Sequence, residues 1–121
     1  MASKGYQDLV VWQKSMDLVT EVYKLAKMLP KEETYALSDQ MRRAAVSIPS
    51  NIAEGQARNH IKEFINFLSI AKGSLAELET QLLISVKLNY LPNAQVELVL
   101  QLASEVAKML NALMSKLTTS N

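Results

Sequence analysis

Residues 59–90 read NHIKEFINFLSIAKGSLAELETQLLISVKLNY. The large apolar side chains of this stretch follow a near-heptad rhythm: Phe64, Phe67, Leu68, Ala71, Leu75, Leu78, Leu82 and Val86. That spacing gathers them on one face of an α-helix, as expected for a helix that packs into a bundle. Asn59 is a good N-cap, and Gly73 is interpreted as a small residue that allows close packing against another helix. The stretch therefore predicts one long helix over residues 59–90.

Similar apolar faces predict three further helices, over residues 8–29, 38–55 and 94–117. Asp8 suits the N-cap of the first helix, and Pro30 follows its last residue. The hydroxyl of Ser38 is expected to cap the second helix, which ends at Gly55. A short turn, Leu91-Pro92-Asn93, separates the last two helices.

The chain of 121 residues contains only 3 Gly and 3 Pro, so it has few turns and favours a few long elements. Short connections between helices imply antiparallel neighbours. The sequence predicts an all-α protein, an antiparallel up-down-up-down four-helix bundle that forms a single domain over residues 1–121. Pro49 interrupts the backbone hydrogen bonding of the second helix and is expected to bend it there. The tail at residues 118–121 is expected to be frayed.

Composition limits the classes of partner. The net charge of +1 is too balanced to prove a nucleic-acid or membrane ligand. The chain has no Cys, which excludes disulfides and thiolate metal sites. It has neither an apolar signal core nor a stretch that could span a bilayer, so we expect a soluble cytoplasmic protein with no membrane partner.

No constellation of residues indicates catalysis. The one histidine, His60, lies at a predicted helix start, and a di-iron bundle would need Glu-x-x-His on two helices. His60 is interpreted as a solvated first-turn residue rather than a ligand. Ser69, Ser74 and Ser85 lack a second histidine as a base. We expect no enzyme activity, no cofactor and no metal.

The predicted fourth helix carries more apolar surface than a bundle core needs. Four side chains extend that surface to one side of the helix: Leu98, Leu102, Met109 and Leu113. Large exposed apolar patches usually mark an interface, which favours a homo-oligomer over the alternative of a wide core face.

Two charged features of the central helices are ambiguous. Arg42 and Glu79 are predicted to form an ion pair between the second and third helices. A polar stripe on the second helix is either a solvated face or a recognition or subunit-contact surface, and it comprises Arg43, Ser47, Ser50, Asn51 and Glu54.

Two long segments carry a resemblance. Residues 35–55 read YALSDQMRRAAVSIPSNIAEG, and residues 62–83 read KEFINFLSIAKGSLAELETQLL. Both closely resemble the 23S rRNA-intervening sequence protein family, also called four helix bundle proteins, as does DLVVWQK at residues 8–14. The resemblance extends from about Tyr6 to Leu91 and is weaker through the fourth helix. The family pattern usually has Gly where Ala36 stands and Arg where Lys72 stands.

The resemblance implies an antiparallel four-helix bundle that assembles into a ring-like homopentamer, with no known enzyme activity. Members are encoded within inserts in ribosomal RNA genes or stand free in bacterial genomes. A related accessory protein of diversity-generating retroelements forms a basic pentameric barrel that binds nucleic acid and a reverse transcriptase. By this analogy, our chain would bind RNA or DNA.

Two functions therefore compete. In the first, the oligomer binds the backbone of RNA or DNA through five basic candidates: Arg42, Arg43, Arg58, Lys62 and Lys72. In the second, the oligomer is a protein-protein adaptor or a structural assembly module with no nucleic-acid ligand. The near-neutral charge and the apolar fourth helix favour the second. A third possibility, an enzyme, ranks last.

Overall fold

The computed structural model describes residues 5–119. These residues contain four α-helices and no β-strand. These are α1 (Val10–Ala26), α2 (Leu37–Gln56), α3 (Ile61–Lys87) and α4 (Asn93–Thr119). Short 3-10 turns occupy Gly5–Asp8 and Lys31–Glu33. The prediction of an all-helical chain with four helices is confirmed.

The starts of the first three helices differ from the predicted ones. Leu9 is extended and precedes α1, so Asp8 belongs to the separate 3-10 turn and is not the N-cap. Ser38 lies inside α2, and its hydroxyl donates to the Ala26 carbonyl at 3.3 Å instead of capping the helix. His60, not Asn59, precedes α3 and has an extended backbone.

The helix ends also differ. α1 stops at Ala26, because residues 27–29 form a turn. α3 stops at Lys87, shortly before Asn89, whose positive φ of 63° ends the helical path. α4 continues through Thr119, and the hydroxyls of Thr118 and Thr119 donate back to the carbonyls of Met114 and Lys116. The fraying of residues 118–121 stays a prediction, and residues 120–121 lie outside the described part.

Each helix contacts two others, so that α1, α2, α3 and α4 form a closed cycle of neighbours. Their buried side chains form one hydrophobic core. The largest fully buried side chains come from all four helices: Leu18, Met41, Ile48, Ile52, Leu68, Leu75, Leu78, Leu82, Leu110, Val22, Val96 and Val106.

Gly55, rather than Gly73, allows two helices to approach closely. A Cβ atom at Gly55 would lie 2.6 Å from the Cβ of Phe67 and 3.0 Å from Cδ1 of Phe64, both on α3. A Cβ atom at Gly73 would meet nothing within 4 Å. The interpretation of Gly73 as a packing residue is wrong within the chain, because Gly73 lies on an exposed side of α3. Gly55 is instead buried inside α2 and does not end it.

α2 continues through Pro49 without a break. The bend at Pro49 stays a prediction. The polar stripe on α2 is divided between two environments: Ser47 shares a hydrogen bond of 2.8 Å with Ser74 of α3, whereas Arg43, Ser50 and Glu54 are exposed. Asn51 donates to the Ser47 hydroxyl at 2.9 Å, which completes a small polar cluster between α2 and α3.

A second polar contact joins the turn before α2 to the end of α3. The Tyr90 hydroxyl donates to the Glu33 carboxylate at 3.0 Å, and this hydrogen bond raises the pKa of Tyr90 above its usual value. The other oxygen of Glu33 accepts from the backbone N–H of Leu37 at the start of α2. Glu33 therefore connects two elements at one end of the molecule.

Candidate interaction surfaces

The five basic candidates lie on α2, on α3 and in the turn between them. Arg42 is half-buried, and its guanidinium donates to the Thr34 carbonyl at 3.1 Å. Arg43 is exposed and forms an ion pair of 2.9 Å with Asp39, four residues earlier on α2. Asp39 therefore offsets the charge of Arg43, whereas Arg42 keeps its charge and uses one of its N–H donors on the Thr34 carbonyl.

Two further candidates lie where the chain passes from α2 to α3. Arg58 forms an ion pair with Glu54 at 3.7 Å, and its guanidinium lies 5.0 Å from the centre of the Phe67 ring. Lys62 is in the first turn of α3 and is exposed. Lys72, ten residues further along the same helix, is exposed as well. The ion pairs found within residues 5–119 include neither Lys62 nor Lys72. These two lysines are the candidates with the most available charge.

The predicted ion pair between Arg42 and Glu79 is not formed in the described part of the chain. The residues before α2 bring the Thr34 carbonyl within reach of the guanidinium, and Arg42 bonds to that carbonyl instead. The Thr34 carbonyl is close to Arg42 in sequence, so it can accept the guanidinium hydrogen bond without fixing the side chain of Glu79 on α3.

The interface candidates on α4 are less exposed than the sequence suggested. Leu98 is 67% exposed, but Leu102, Met109 and Leu113 are half-buried and pack against the core. This side of α4 faces α1, because Glu105 forms an ion pair with Lys14 at 3.7 Å. Only Leu98 of the four thus keeps most of its surface uncovered.

The sequence reasoning missed a groove between α1 and α2. Eight residues line this groove: Tyr6, Trp12, Met16, Val19, Val46, Pro49, Ser50 and Ala53. Met16 and Val46 are 42% and 39% exposed, so the groove presents apolar surface to solvent. Its volume of about 290 Å³ lies just below the range of small-molecule sites, which is roughly 300 to 1,000 Å³. A shallow apolar groove of this size is better suited to side chains of another protein.

The groove becomes basic beyond Val19 and Val46. Tyr23 lies between two adjoining depressions, of which one is lined by Asp39, Arg42 and Arg43 and the other by Lys24 and Lys27. Lys24 forms an ion pair with Glu21 at 3.1 Å. Four cations against the two carboxylates of Asp39 and Glu21 leave this end positive. We call the whole feature, from Tyr6 to Lys27 on one side and from Asp39 to Ala53 on the other, the α1–α2 groove.

The described residues contain neither a cluster of metal-ligating side chains nor a membrane-spanning helix. Within residues 5–119, no three His, Asp or Glu side chains come together as metal ligands would. His60, at the start of α3, makes no side-chain capping bond. Across the same residues, no helix combines the length and the apolar character needed to cross a membrane.

Comparison with known proteins agrees with this four-helix architecture. The family model of the 23S rRNA-intervening sequence protein matches residues 7–112. The chain is also similar to a crystal structure from Bacteroides thetaiotaomicron, of a protein with unknown function from the S23 ribosomal protein family. The two share 29% sequence identity with a TM-score of 0.81, and the match covers 87% of this chain and 98% of the other. No curated protein matched the chain. Since the family model spans most of the sequence, the chain belongs to the 23S rRNA-intervening sequence protein family.

Proposed function

We propose that this protein is a non-enzymatic assembly module that functions as a homo-oligomer, a pentameric ring by its family resemblance. The observation that carries the proposal is the exposed apolar surface of the α1–α2 groove. Apolar surface left in water costs about 25 cal/mol per Å², so covering the groove with protein favours association. Exposed apolar patches rimmed by charge, as here, are typical of protein interfaces.

The exposed apolar side chains also occur elsewhere on the molecule. Ile70 and Ile84 of α3, Leu88 immediately after α3 and Leu98 of α4 are each more than 40% exposed. A ring needs two different surfaces on each subunit, because each copy contacts one neighbour with one surface and the next neighbour with the other. Several separate apolar patches are therefore more consistent with a ring than with a dimer about one patch.

Light scattering coupled to size exclusion tests this proposal. We expect a mass several times the 13.5 kDa of one chain at micromolar concentration. A mass of 13.5 kDa at high micromolar concentration would reject the homo-oligomer and leave the groove for a different protein, as in the adaptor hypothesis.

We further infer an antiparallel up-down-up-down order of the helices, with α2 bent at Pro49. Short connections and the cyclic order of contacts support antiparallel neighbours. Pro49 has no N–H to donate to the Ala45 carbonyl, which supports a bend at that point. The helix axes in an experimental structure would measure both.

Binding of RNA or DNA is the second candidate function. Lys62 and Lys72 favour it, because both are exposed and neither joins an ion pair within residues 5–119. A ring would repeat these two lysines in every subunit, so that weak phosphate contacts add up. The analogy with the retroelement accessory protein points the same way, although here Asp39 and Glu54 pair with Arg43 and Arg58.

A further inference from the structure

The connections at one end of the bundle carry exposed apolar side chains. Met28 lies in the turn after α1 and is 46% exposed, and Tyr35 lies in the turn before α2 and is 94% exposed. Leu88, immediately after α3, is 50% exposed. The hydrogen bond between Tyr90 and Glu33 joins these two connections, so the three apolar side chains lie at the same end of the molecule.

The connection at the opposite end has a different character. Residues 57–60 link α2 to α3 and are Ala57, Arg58, Asn59 and His60, all of them exposed and none of them a large apolar residue. Single exposed apolar residues are common on protein surfaces and need no explanation. Three of them in the turns of one end, and none in the turn at the other, indicate a surface with a role.

The end that carries these apolar side chains is also positively charged. Three exposed lysines lie in its turns or beside them, and none of the three joins an ion pair found within residues 5–119: Lys27, Lys31 and Lys87. The Thr34 carbonyl holds the Arg42 guanidinium next to the same turns. The carboxylates of these turns are Glu32 and Glu33. Four cations against two carboxylates leave this end positive.

An anionic membrane surface fits this combination better than another protein does. Tyr35 projects almost completely from its turn, and neither it nor Met28 or Leu88 lines the α1–α2 groove. Separate projecting side chains offer a protein partner no continuous surface, whereas a fluid bilayer accepts each of them on its own. Tyrosine is enriched at membrane interfaces, and lysines reach the headgroups while their methylene stems stay in apolar surroundings.

We propose that this end of the protein docks on anionic lipid membranes. The side chains of Met28, Tyr35 and Leu88 enter the boundary between headgroups and acyl chains, and the three lysines contact the lipid phosphates. Docking of this kind needs neither a membrane-spanning helix nor a signal segment, so it revises the sequence-based expectation of no membrane partner. It does not depend on the proposed homo-oligomer, although several copies in one assembly would strengthen it.

Co-sedimentation with lipid vesicles tests the apolar contacts. We expect the protein to bind vesicles of phosphatidylcholine and phosphatidylglycerol and to bind vesicles of phosphatidylcholine alone much more weakly. Met28→Ser combined with Tyr35→Ser should weaken binding to the anionic vesicles by at least about tenfold. Val10→Ser combined with Ile70→Ser changes two exposed apolar residues away from these turns and should bind like wild type.

A second pair of variants tests the lysines. Lys27→Gln combined with Lys31→Gln should lower the affinity for anionic vesicles by about fivefold for each lysine. Lys62→Gln combined with Lys108→Gln removes the same charge from two exposed positions elsewhere. This control should have a smaller effect, because the potential of a charged surface decays within about 10 Å in moderate salt.

A fluorescent label shows which end of the protein meets the membrane. The sequence has no cysteine, so Tyr35→Cys provides a single attachment site for a polarity-sensitive fluorophore. We expect its emission to shift to shorter wavelength when anionic vesicles are added. The same label at Ser104→Cys, an exposed position of α4, should keep its emission wavelength.

Several results would overturn the inference. One is a wild-type protein that does not bind the anionic vesicles. Another is a label at position 35 whose emission does not shift, or a Met28→Ser and Tyr35→Ser double variant that binds as tightly as its control. Light scattering decides whether a second copy covers this end instead: a double variant that loses the oligomeric mass of the wild type would make these turns a subunit contact and overturn the membrane inference.

Discussion

Gln81 of α3 is a buried polar residue whose Oε1 atom has no hydrogen-bond partner in the described part of the chain. An amide oxygen removed from water without a partner destabilises the folded state by about 1–3 kcal/mol. Ser85, one turn later on α3, is also buried, but its hydroxyl donates to the Gln81 backbone carbonyl and is satisfied. Of the two buried polar side chains of this turn, Gln81 therefore leaves one oxygen without a partner and Ser85 does not.

Replacement of Gln81 by methionine should stabilise the protein. Gln81→Met keeps the length of the side chain and removes the unsatisfied oxygen, so we expect the free energy of unfolding to rise by about 1 kcal/mol. Urea denaturation at a fixed protein concentration measures this change. Gln101→Met on the exposed side of α4 is the control, and it should change the free energy by less than about 0.5 kcal/mol. A loss of stability at Gln81→Met would mean that the amide is satisfied in solution.

Residue-level contacts were the least predictable part of this protein. The pairing of Arg42 with Glu79 followed from helix faces, but the structure gives Arg42 the Thr34 carbonyl. Helical periodicity orients a side chain to within one face, whereas the path of the preceding turn decides which polar atom lies within hydrogen-bonding distance. No periodic signal in the sequence contains that path.

At the scale of helices, Gly55 fixes how closely α2 packs on α3. The nearest atom to a Cβ atom at Gly55 would be the Cβ of Phe67, which is attached directly to the α3 backbone and cannot rotate away. An added methyl group would therefore force the two helices apart. The small polar cluster of Ser47, Asn51 and Ser74 further along the same interface depends on that separation as well.

Gly55→Ala should destabilise the protein by about 1–3 kcal/mol, the usual effect of overpacking a well-packed core. Alanine is the better helix former by about 1 kcal/mol, and this gain offsets only part of the loss. The midpoint of urea unfolding measures the result. Ser104→Ala on exposed α4 serves as the control and should stay within about 0.5 kcal/mol of wild type. An unchanged midpoint for Gly55→Ala would show that α2 and α3 separate without cost.

The sequence identified the buried face of α3 more clearly than that of α1, for a physical reason. α3 has one dominant apolar face, so its periodicity identifies the core directly. α1 has two adjoining apolar stripes, one buried through Leu18 and Val22 and one facing the groove through Met16 and Tyr23. Both stripes have helical periodicity, and only the position of α2 decides which one is covered. The groove was therefore missed, although an apolar arc wider than one neighbouring helix covers was a signal for it.

At the scale of the whole molecule, charge is distributed so that much of it is neutralised locally. Four ion pairs within residues 5–119 join near neighbours or facing helices, and two of them involve Arg43 and Arg58. The family and the all-helical fold were predictable because both depend on sequence patterns that extend over many residues. The carboxylate partners of Arg43 and Arg58 were not predictable, because a count of charges does not contain the pairs that the charges form.

If the oligomer binds nucleic acid, Lys62 and Lys72 should carry most of the binding. These lysines would reach phosphates rather than bases, so affinity should depend little on sequence and fall steeply with salt. Removal of one phosphate-binding lysine should make the slope of log K against log salt shallower by about 0.7 for single strands and about 0.9 for duplex DNA. Lys62→Glu combined with Lys72→Glu should weaken binding at least about tenfold at low salt and flatten that slope. Fluorescence anisotropy with short RNA and DNA of several sequences measures both quantities.

A charge-matched control separates the two lysines from the effect of net charge. Lys87→Glu combined with Lys108→Glu changes two other exposed lysines and gives the same net charge. If binding depends on Lys62 and Lys72, the control retains most of its affinity, and light scattering shows the wild-type mass for both double variants. An equal reduction of affinity in the two variants would assign the binding to general electrostatic attraction. A wild-type oligomer that binds neither RNA nor DNA at low salt would reject this second function and leave assembly through protein surfaces as the role that the exposed apolar groove supports.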